Sequence, residues 1–323
     1  MLEGYVAMSN NVIRNNEVVN SRVFHDLQSK RNTCSCAICG KSVKPYEGER
    51  VTTPSHPRGI TLCDEHVNMF NNLDFSTYSD ENTIYIGKET AKGMTCSFEC
   101  ETVENTTTSI CSMVVDLHFL PSHDSSLGYK GIEYKSPIFN SLNSTTKTLG
   151  TIEALVNEGY FDTKNDSCGG HIHTGFYNNP IDFTGLYNTM TEYWEVFKDL
   201  YTYLDNMPNE TMKLYFGRGF SNYARTIRKT SDGFIIPCHD GNGRRLTYYD
   251  KKYGFNRRPS SIHEIIFNVQ HDYSIEFRLP KFINAIQYRT CILSMQEIMD
   301  VLRKNDFKYS PLLVNVFKKY FPY

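Results

Sequence analysis

At 323 residues, 40% hydrophobic and 22% charged, the chain has an ordinary globular composition and enough length to bury a sizeable core. A formal charge of −2 gives no general reason to expect nucleic acid as the main partner. No run of about 18 apolar residues exists, so no transmembrane helix is expected.

In chain order, residues 1–30 read as a polar N-terminal arm with a short helix over 18–27. The arm lacks the apolar stretch of a signal peptide, which predicts a cytoplasmic protein and argues against disulfides among the ten cysteines. Triplets such as Asn105-Thr106-Thr107 then read as chance matches to a glycosylation signal. Residues 31–75 form a distinct cysteine-containing module. Residues 76–92 are a polar linker, strand-like over 83–86, and 93–323 form the main domain.

Within the main domain, alternating β-branched and aromatic residues predict strands over 94–103, 112–120 and 131–136. Leu149, Ile152 and Val156 share a helical stripe, predicting a helix over 144–159 with Gly159 as its cap. A strand through His171 follows. The longest predicted helix covers 182–207, where Leu186, Met190, Tyr193, Phe197, Leu200 and Leu204 recur at three and four and Pro208 stops it. A hairpin over 234–249 turning at Asp240-Gly241-Asn242-Gly243, a strand through Glu276, and helices over 285–304 and 312–320 complete the chain. Strands and helices mix without regular βαβ alternation, which predicts an α+β fold.

Cys36-x2-Cys39 and Cys63-x2-His66 have the spacing of two knuckles that together offer four tetrahedral ligands for zinc. Gly40 suits the tight turn after the second cysteine. A segment of this size is too small for its own core, so metal binding supplies its folding energy. Four protein ligands close the site, so this zinc is structural; Cys34 and His56 are spare ligands. The module's use can be to dock a protein partner or a substrate.

Elsewhere, polar groups two apart are separated by one apolar residue or cysteine: Glu99-Cys100-Glu101, His171-Ile172-His173, Glu276-Phe277-Arg278 and, more weakly, Glu133-Tyr134-Lys135. On a strand, residues i and i+2 share a face. Singly, each doublet suits a solvated strand face or a cross-strand salt bridge. Together, Glu99, Glu101, Glu133, His171 and Glu276 offer four carboxylates and an imidazole, a donor set for Mg²⁺ or Mn²⁺. Four converging carboxylates would repel one another without cations. Arg278, on the face of Glu276, suits phosphate oxygens, and two metals with an arginine are equipment for phosphoryl transfer from ATP.

In this order, Glu99-x-Glu101, Glu133 before Ser136-Pro137, Cys168-Gly169-Gly170-His171-Ile172-His173 and Ile275-Glu276-Phe277-Arg278 resemble the amidoligase family. That family belongs to the carboxylate–amine ligase superfamily with glutamine synthetase and glutamate–cysteine ligase. The resemblance covers roughly residues 93–300 and leaves the zinc module outside. One departure is Leu279-Pro280-Lys281, where the family carries small residues and a threonine. The resemblance implies a curved antiparallel sheet with helices on its convex side and ATP and metals in the concave side. It implies Glu99, Glu101, Glu133, His171 and Glu276 as metal ligands, Arg278 on ATP phosphates and His173 beside the site. The implied reaction joins a carboxylate to an amine, in small molecules or peptides, through an acyl phosphate. Many relatives are encoded by bacteriophages or their hosts.

Further candidates are Arg218 for the γ-phosphate or a substrate carboxylate, and Asp124 and Arg225 for substrate. Arg228 has the same spacing as an exposed helix face, and Arg244 and Arg245 flank the hairpin turn. Two other readings fit the same residues: a metal-dependent phosphohydrolase with water in place of the amine, and a non-catalytic zinc-containing binding or regulatory protein.

Overall fold

Alternation of apolar and polar residues along short strands decides which side chains face a core and which face a site. The structure, a computed structural model, describes residues 6–8, 11–14, 17–20, 34–44, 47–75, 85–86, 93–160, 162–177, 181–221, 224–236, 247–250, 264–269, 271 and 273–323. Two compact units result, Met1–Lys88 with Ser97–Cys168 and Glu89–Cys96 with Gly169–Tyr323.

The first unit opens with an antiparallel meander, β1 (Val6–Met8), β2 (Asn11–Arg14) and β3 (Glu17–Asn20). The helix expected over 18–27 is therefore strand at its start, where Val18 and Val19 pair with Ile13 and Val12; residues 21–27 lie outside the described residues. The cysteine module follows as two antiparallel pairs, β4 (Cys34–Ser35) with β5 (Ser42–Val43) and β6 (Glu49–Thr53) with β7 (His56–Leu62), and then helix α1 (Asp64–Asn71). Most of the expected linker lies outside the described residues; within it β8 (Tyr85–Ile86) is extended.

Strand β9 (Met94–Thr102) buries Phe98 and Cys100 on one face. The strand expected over 112–120 is instead mostly helical, a correction with a local cause. A capping box between Thr106 and Ser109 starts α2 (Thr107–Cys111), in which the Ser109 amide donates to Thr106 Oγ1 at 3.2 Å. The helix runs on as a π turn, Ser112–Asp116, closed by Leu117 N–H donating to Ser112 O at 3.1 Å. Ile110 and Met113, three apart, are both buried, so the apolar period there is helical. The chain becomes extended only at β10 (Leu120–His123), then forms a single 3₁₀ turn (Ser125–Leu127) and β11 (Ile132–Lys135). β11 pairs antiparallel with both β10 and β9. After β12 (Ile138–Phe139), which runs parallel to β8, helix α3 (Leu142–Asn157) ends near the expected Gly159, whose φ is +76°.

The second unit begins with β13 (Gly170–Phe176). The long helix predicted from 182 starts later, as α4 (Met190–Asn206), because a Thr189–Glu192 capping box sets its first turn; Phe183–Gly185 ahead of it is 3₁₀. Next come α5 (Asn209–Phe216) and the antiparallel trio β14 (Arg228–Lys229), β15 (Gly233–Ile236) and β16 (Thr247–Asp250). Phe234 pairs with Tyr249 as the hairpin reading expects, while its turn, with Arg244 and Arg245, lies outside the described residues. Strands β17 (Phe267–Asn268) and β18 (Ser274–Phe277) pair antiparallel, and β18 also pairs with β13. Helices α6 (Ala285–Lys304) and α7 (Leu312–Tyr320) close the chain over the predicted ranges.

The core of this unit is aromatic. Phe267 and Phe277, opposite each other on β17 and β18, stack with centroids 5.2 Å apart, and Phe197 of α4 stacks on Phe267 at 5.3 Å. Phe216 and Phe317 meet the other edges of Phe277. With Phe277 and Ile275 turned into this core, period 2 turns Glu276 to the opposite face. The fold is α+β with mostly antiparallel strand pairing, and among the described residues no helix is long and apolar enough to cross a membrane.

Candidate functional site

The cysteine module brings its four expected ligands together. Cys36, Cys39, Cys63 and His66 each place a ligand atom within 4.8 Å of the others. The Cys63 and Cys36 sulfurs lie 3.2 and 3.6 Å from His66 Nδ1, and the Cys39 and Cys63 sulfurs are 3.9 Å apart. For tetrahedral zinc, ordinary bond lengths give edges of about 3.8 Å between sulfurs and about 3.6 Å between sulfur and nitrogen. The donor set fits, so the cluster could hold a structural zinc.

The sequence builds each knuckle locally. Gly40, at φ +72°, lets its N–H reach Cys36 O at 2.9 Å, and the Cys36 N–H reaches Lys41 O at 2.8 Å. Cys63 is the N-cap of α1, which places His66 in the first helical turn on the same side. Burial and the neighbouring Cys36 and Cys63 sulfurs push the Cys39 thiol up to about 11, against a lowering backbone hydrogen bond at Lys41. A dication reverses that repulsion. The two spare residues stand apart from the cluster: Cys34 is exposed, and His56 Nδ1 is 3.0 Å from Asp116 Oδ1. Asp116, whose side chain is 1% exposed, ends the π turn, so this pair ties the module's second hairpin to that turn.

Of the doublet residues, Glu99, Glu101 and Glu133 belong to the first unit. Glu101 stands directly opposite Glu133 in the β9–β11 register, and Lys135 stands opposite Glu99. All three carboxylates therefore share the face turned away from Phe98 and Cys100, as the spacing predicts. Glu101 is buried and Glu133 half-buried, and the Ser122 hydroxyl lies 3.3 Å from Glu133 Oε2. Like charges directly opposite destabilise a strand pair unless neighbouring donors or a cation offset them.

His171, His173, Glu276 and Arg278 belong to the second unit, which gathers them around Glu276. This carboxylate is 1% exposed and accepts from four groups. His171 Nδ1 is 3.1 Å and Arg278 Nη1 is in contact at Oε1; His271 Nε2 at 2.8 Å and Asn268 Nδ2 at 2.9 Å meet Oε2. Burial pushes the Glu276 carboxyl up, but the His171 and His271 hydrogen bonds and the His171 and Arg278 charges outweigh it and hold the group well below the usual carboxylate range. His171 turns its Nδ1 to Glu276, the histidine–carboxylate contact that carboxylate–histidine–metal triads share. A cation that binds Glu276 itself takes the place of one of its four donors.

Glycine allows the close packing behind this network. A Cβ on Gly170 would lie 2.9 Å from the Tyr288 ring, whose hydroxyl donates to His171 O at 3.3 Å. His173 stands opposite Glu276 in the β13–β18 register, with Nδ1 3.2 Å from Ser274 Oγ and its ring edge-on to His271 at 4.8 Å.

The remaining candidates have local partners. Arg218 donates from Nε to Leu279 O at 3.0 Å and from Nη2 to Arg278 O at 2.6 Å, bracing the end of β18. Arg225 is buried, with Nη1 2.9 Å from Glu264 Oε2, and exposed Arg228 reaches Asp205. Asp124 caps the 3₁₀ turn, accepting from Ser126 N–H at 2.8 Å. Sequence reasoning missed Asn268 and His271. Asn268 is recoverable only from register, which sets it opposite Glu276, and His271 sits in the connection between β17 and β18 with no doublet to mark it.

No family model, curated protein or solved structure matches the chain.

Proposed function

We propose that the protein is an ATP-dependent carboxylate–amine ligase with the curved, glutamine synthetase-like sheet that its motifs imply. The observation that supports this best is the opposed pair Glu101 and Glu133, two carboxylates held in register on one strand face, an arrangement that a bound cation would stabilise. In this reading Glu99, Glu101, Glu133, His171 and Glu276 are the ligands of Mg²⁺ or Mn²⁺. When bound, the cations would offset charge on the phosphoryl group in transfer.

The chain's own residues do the rest. Glu276 orients His171 and Arg278, and Arg278 neutralises phosphate oxygens of ATP from a fixed position. Arg218 holds the backbone that carries Arg278. A carboxylate oxygen of the first substrate attacks the γ-phosphorus and releases ADP. The amine nitrogen then attacks the resulting acyl phosphate, forming the C–N bond as the C–O bond to phosphate breaks. The ammonium proton passes to a carboxylate of the site.

The test is a screen of amine and carboxylate pairs for ADP release in the presence of Mn²⁺, with the adduct identified by mass. Glu133→Gln and His171→Ala should each abolish turnover. Phosphate release at full rate without any amine would make the protein a phosphohydrolase. If neither ATP nor Mn²⁺ at millimolar concentration shifts the melting temperature, the enzyme reading falls and a binding protein remains.

A further inference from the structure

The sulfurs of Cys39 and Cys63 stand 3.9 Å apart in the cysteine–histidine cluster, one on each knuckle. Their surroundings differ. Cys36 and Cys63 are 0% and 4% exposed, whereas Cys39 is half-buried, so a small reagent in solvent meets Cys39 first. We propose that this pair is a site of reversible oxidation, at which a peroxide closes a Cys39–Cys63 disulfide and zinc is expelled. The assignment rests on the cluster holding zinc, which the same experiment measures before any oxidant is added.

The chemistry follows from the ligand set. Zinc holds its cysteines as thiolates, and the thiolate is the form of sulfur that attacks a peroxide. The Cys39 sulfur attacks one oxygen of hydrogen peroxide, the O–O bond breaks, and hydroxide leaves a sulfenic acid on Cys39. The Cys63 thiolate then attacks the Cys39 sulfur and expels a second hydroxide. Two thiolates thus lose two electrons to form the S–S bond, and one peroxide is reduced to two hydroxides.

The geometry selects the partner. A disulfide needs a sulfur separation of about 2.05 Å, so the two sulfurs close by roughly 2 Å. The Cys63 side chain makes no capping hydrogen bond to α1, which leaves its sulfur to turn. Cys36 is the rival partner, but it shares with Cys39 a knuckle whose backbone the Gly40 and Lys41 hydrogen bonds fix. That fixed backbone opposes the turn a Cys36–Cys39 bond requires. A disulfide sulfur is no longer a thiolate ligand, so only Cys36 and His66 remain, too few for a structural zinc. The disulfide still joins the knuckles, but Cys36 and His66 lose their anchor, which loosens the β4–β5 pair and α1. The β6–β7 hairpin keeps its tie to Asp116 through His56.

The test treats the zinc-loaded full chain with hydrogen peroxide, follows zinc with a colorimetric chelator, and locates each disulfide by peptide mapping. Zinc release should keep pace with formation of a Cys39–Cys63 link, and a thiol reductant with added zinc should restore the starting state. Amide exchange should rise at residues 36–43 and in α1 but not in β6 and β7. Cys39→His keeps four zinc-binding groups and removes the accessible sulfur; it should retain zinc and slow its release about tenfold or more. Cys34→Ser alters an exposed sulfur apart from the cluster and should change nothing. Zinc retained under peroxide, release with only sulfinic acid on the cysteines, or a mapped link between any other pair would overturn the proposal. The mapping is read on the unaltered chain, so it decides the matter even where Cys39→His fails to fold. Protein without zinc before the oxidant would end the zinc assignment and this proposal with it, whereas zinc present and retained would end this proposal alone.

Discussion

Arg218 holds Arg278 by its backbone: one guanidinium donates to the carbonyls of both Arg278 and Leu279, sixty positions further along the chain. The brace fixes the residue after β18, whose own N–H donates to Ile266 O at 2.9 Å. Lysine cannot reproduce a two-point fork. Arg218→Ala, and nearly as strongly Arg218→Lys, should lower the unfolding free energy by about 1–3 kcal/mol. Urea titration measures this, and an unmoved midpoint would remove the brace.

Glu276 is a buried charge with four donors, so its loss leaves His171, His271, Asn268 and Arg278 facing a gap. Glu276→Ala should cost about 3–5 kcal/mol of stability, because removing one partner strands the others. Glu276→Gln keeps the shape but turns an amide N–H₂ toward donors and should recover only part of the loss. Full recovery in the glutamine variant would show that the negative charge is dispensable.

Zinc content should depend on the knuckles alone. Metal analysis of Cys39→Ser should show zinc lost and the melting temperature lowered, with metal binding elsewhere largely retained. Glu276→Ala should keep its zinc. Freshly purified protein without zinc would end the assignment.

On the surface of α4, hydrogen bonds from Lys198 and Lys229 hold the Glu195 carboxyl below its ordinary value of 4.5. A depressed folded-state value means that the pairing stabilises the fold above the unfolded value and is lost as pH falls through the folded one. The effect is small at so exposed a site. Carbon-detected NMR should find a Glu195 midpoint below 4.5, and Lys229→Ala should move it upward. A midpoint that Lys229→Ala leaves in place would show that this ion pair does not form in solution.

Long helices and doublets were the legible parts of this chain. Helices α6 and α7 fall where their apolar period places them, and in α6 a twenty-residue pattern averages over local exceptions. The glutamate and histidine doublets lie on strands as their spacing requires, since period 2 is geometric. Residues 112–120 misled for a definable reason. Met113, Val114 and Val115 have β-branched or apolar side chains that suit a strand, but the turn begun by Thr106 and Ser109 continues through them. The capping box there has serine, not glutamate, at its third position, which weakens the start signal. His271 was invisible because its role comes from a loop brought over Glu276 by the β17–β18 pairing. No local pattern records such a return.

The contact between His56 and Asp116 bears on modularity. A cysteine-and-histidine ribbon ahead of a larger domain invites treatment as a detachable cassette. Asp116 argues otherwise: its carboxylate is almost fully enclosed, one oxygen meets His56, and the other has no hydrogen-bond partner among the described residues. A chain shortened to begin near residue 93 would keep that enclosed charge and lose the imidazole that answers it. The ribbon and Ser97–Cys168 therefore belong to one compact unit, and exchanging the ribbon between proteins would require exchanging position 116 with it.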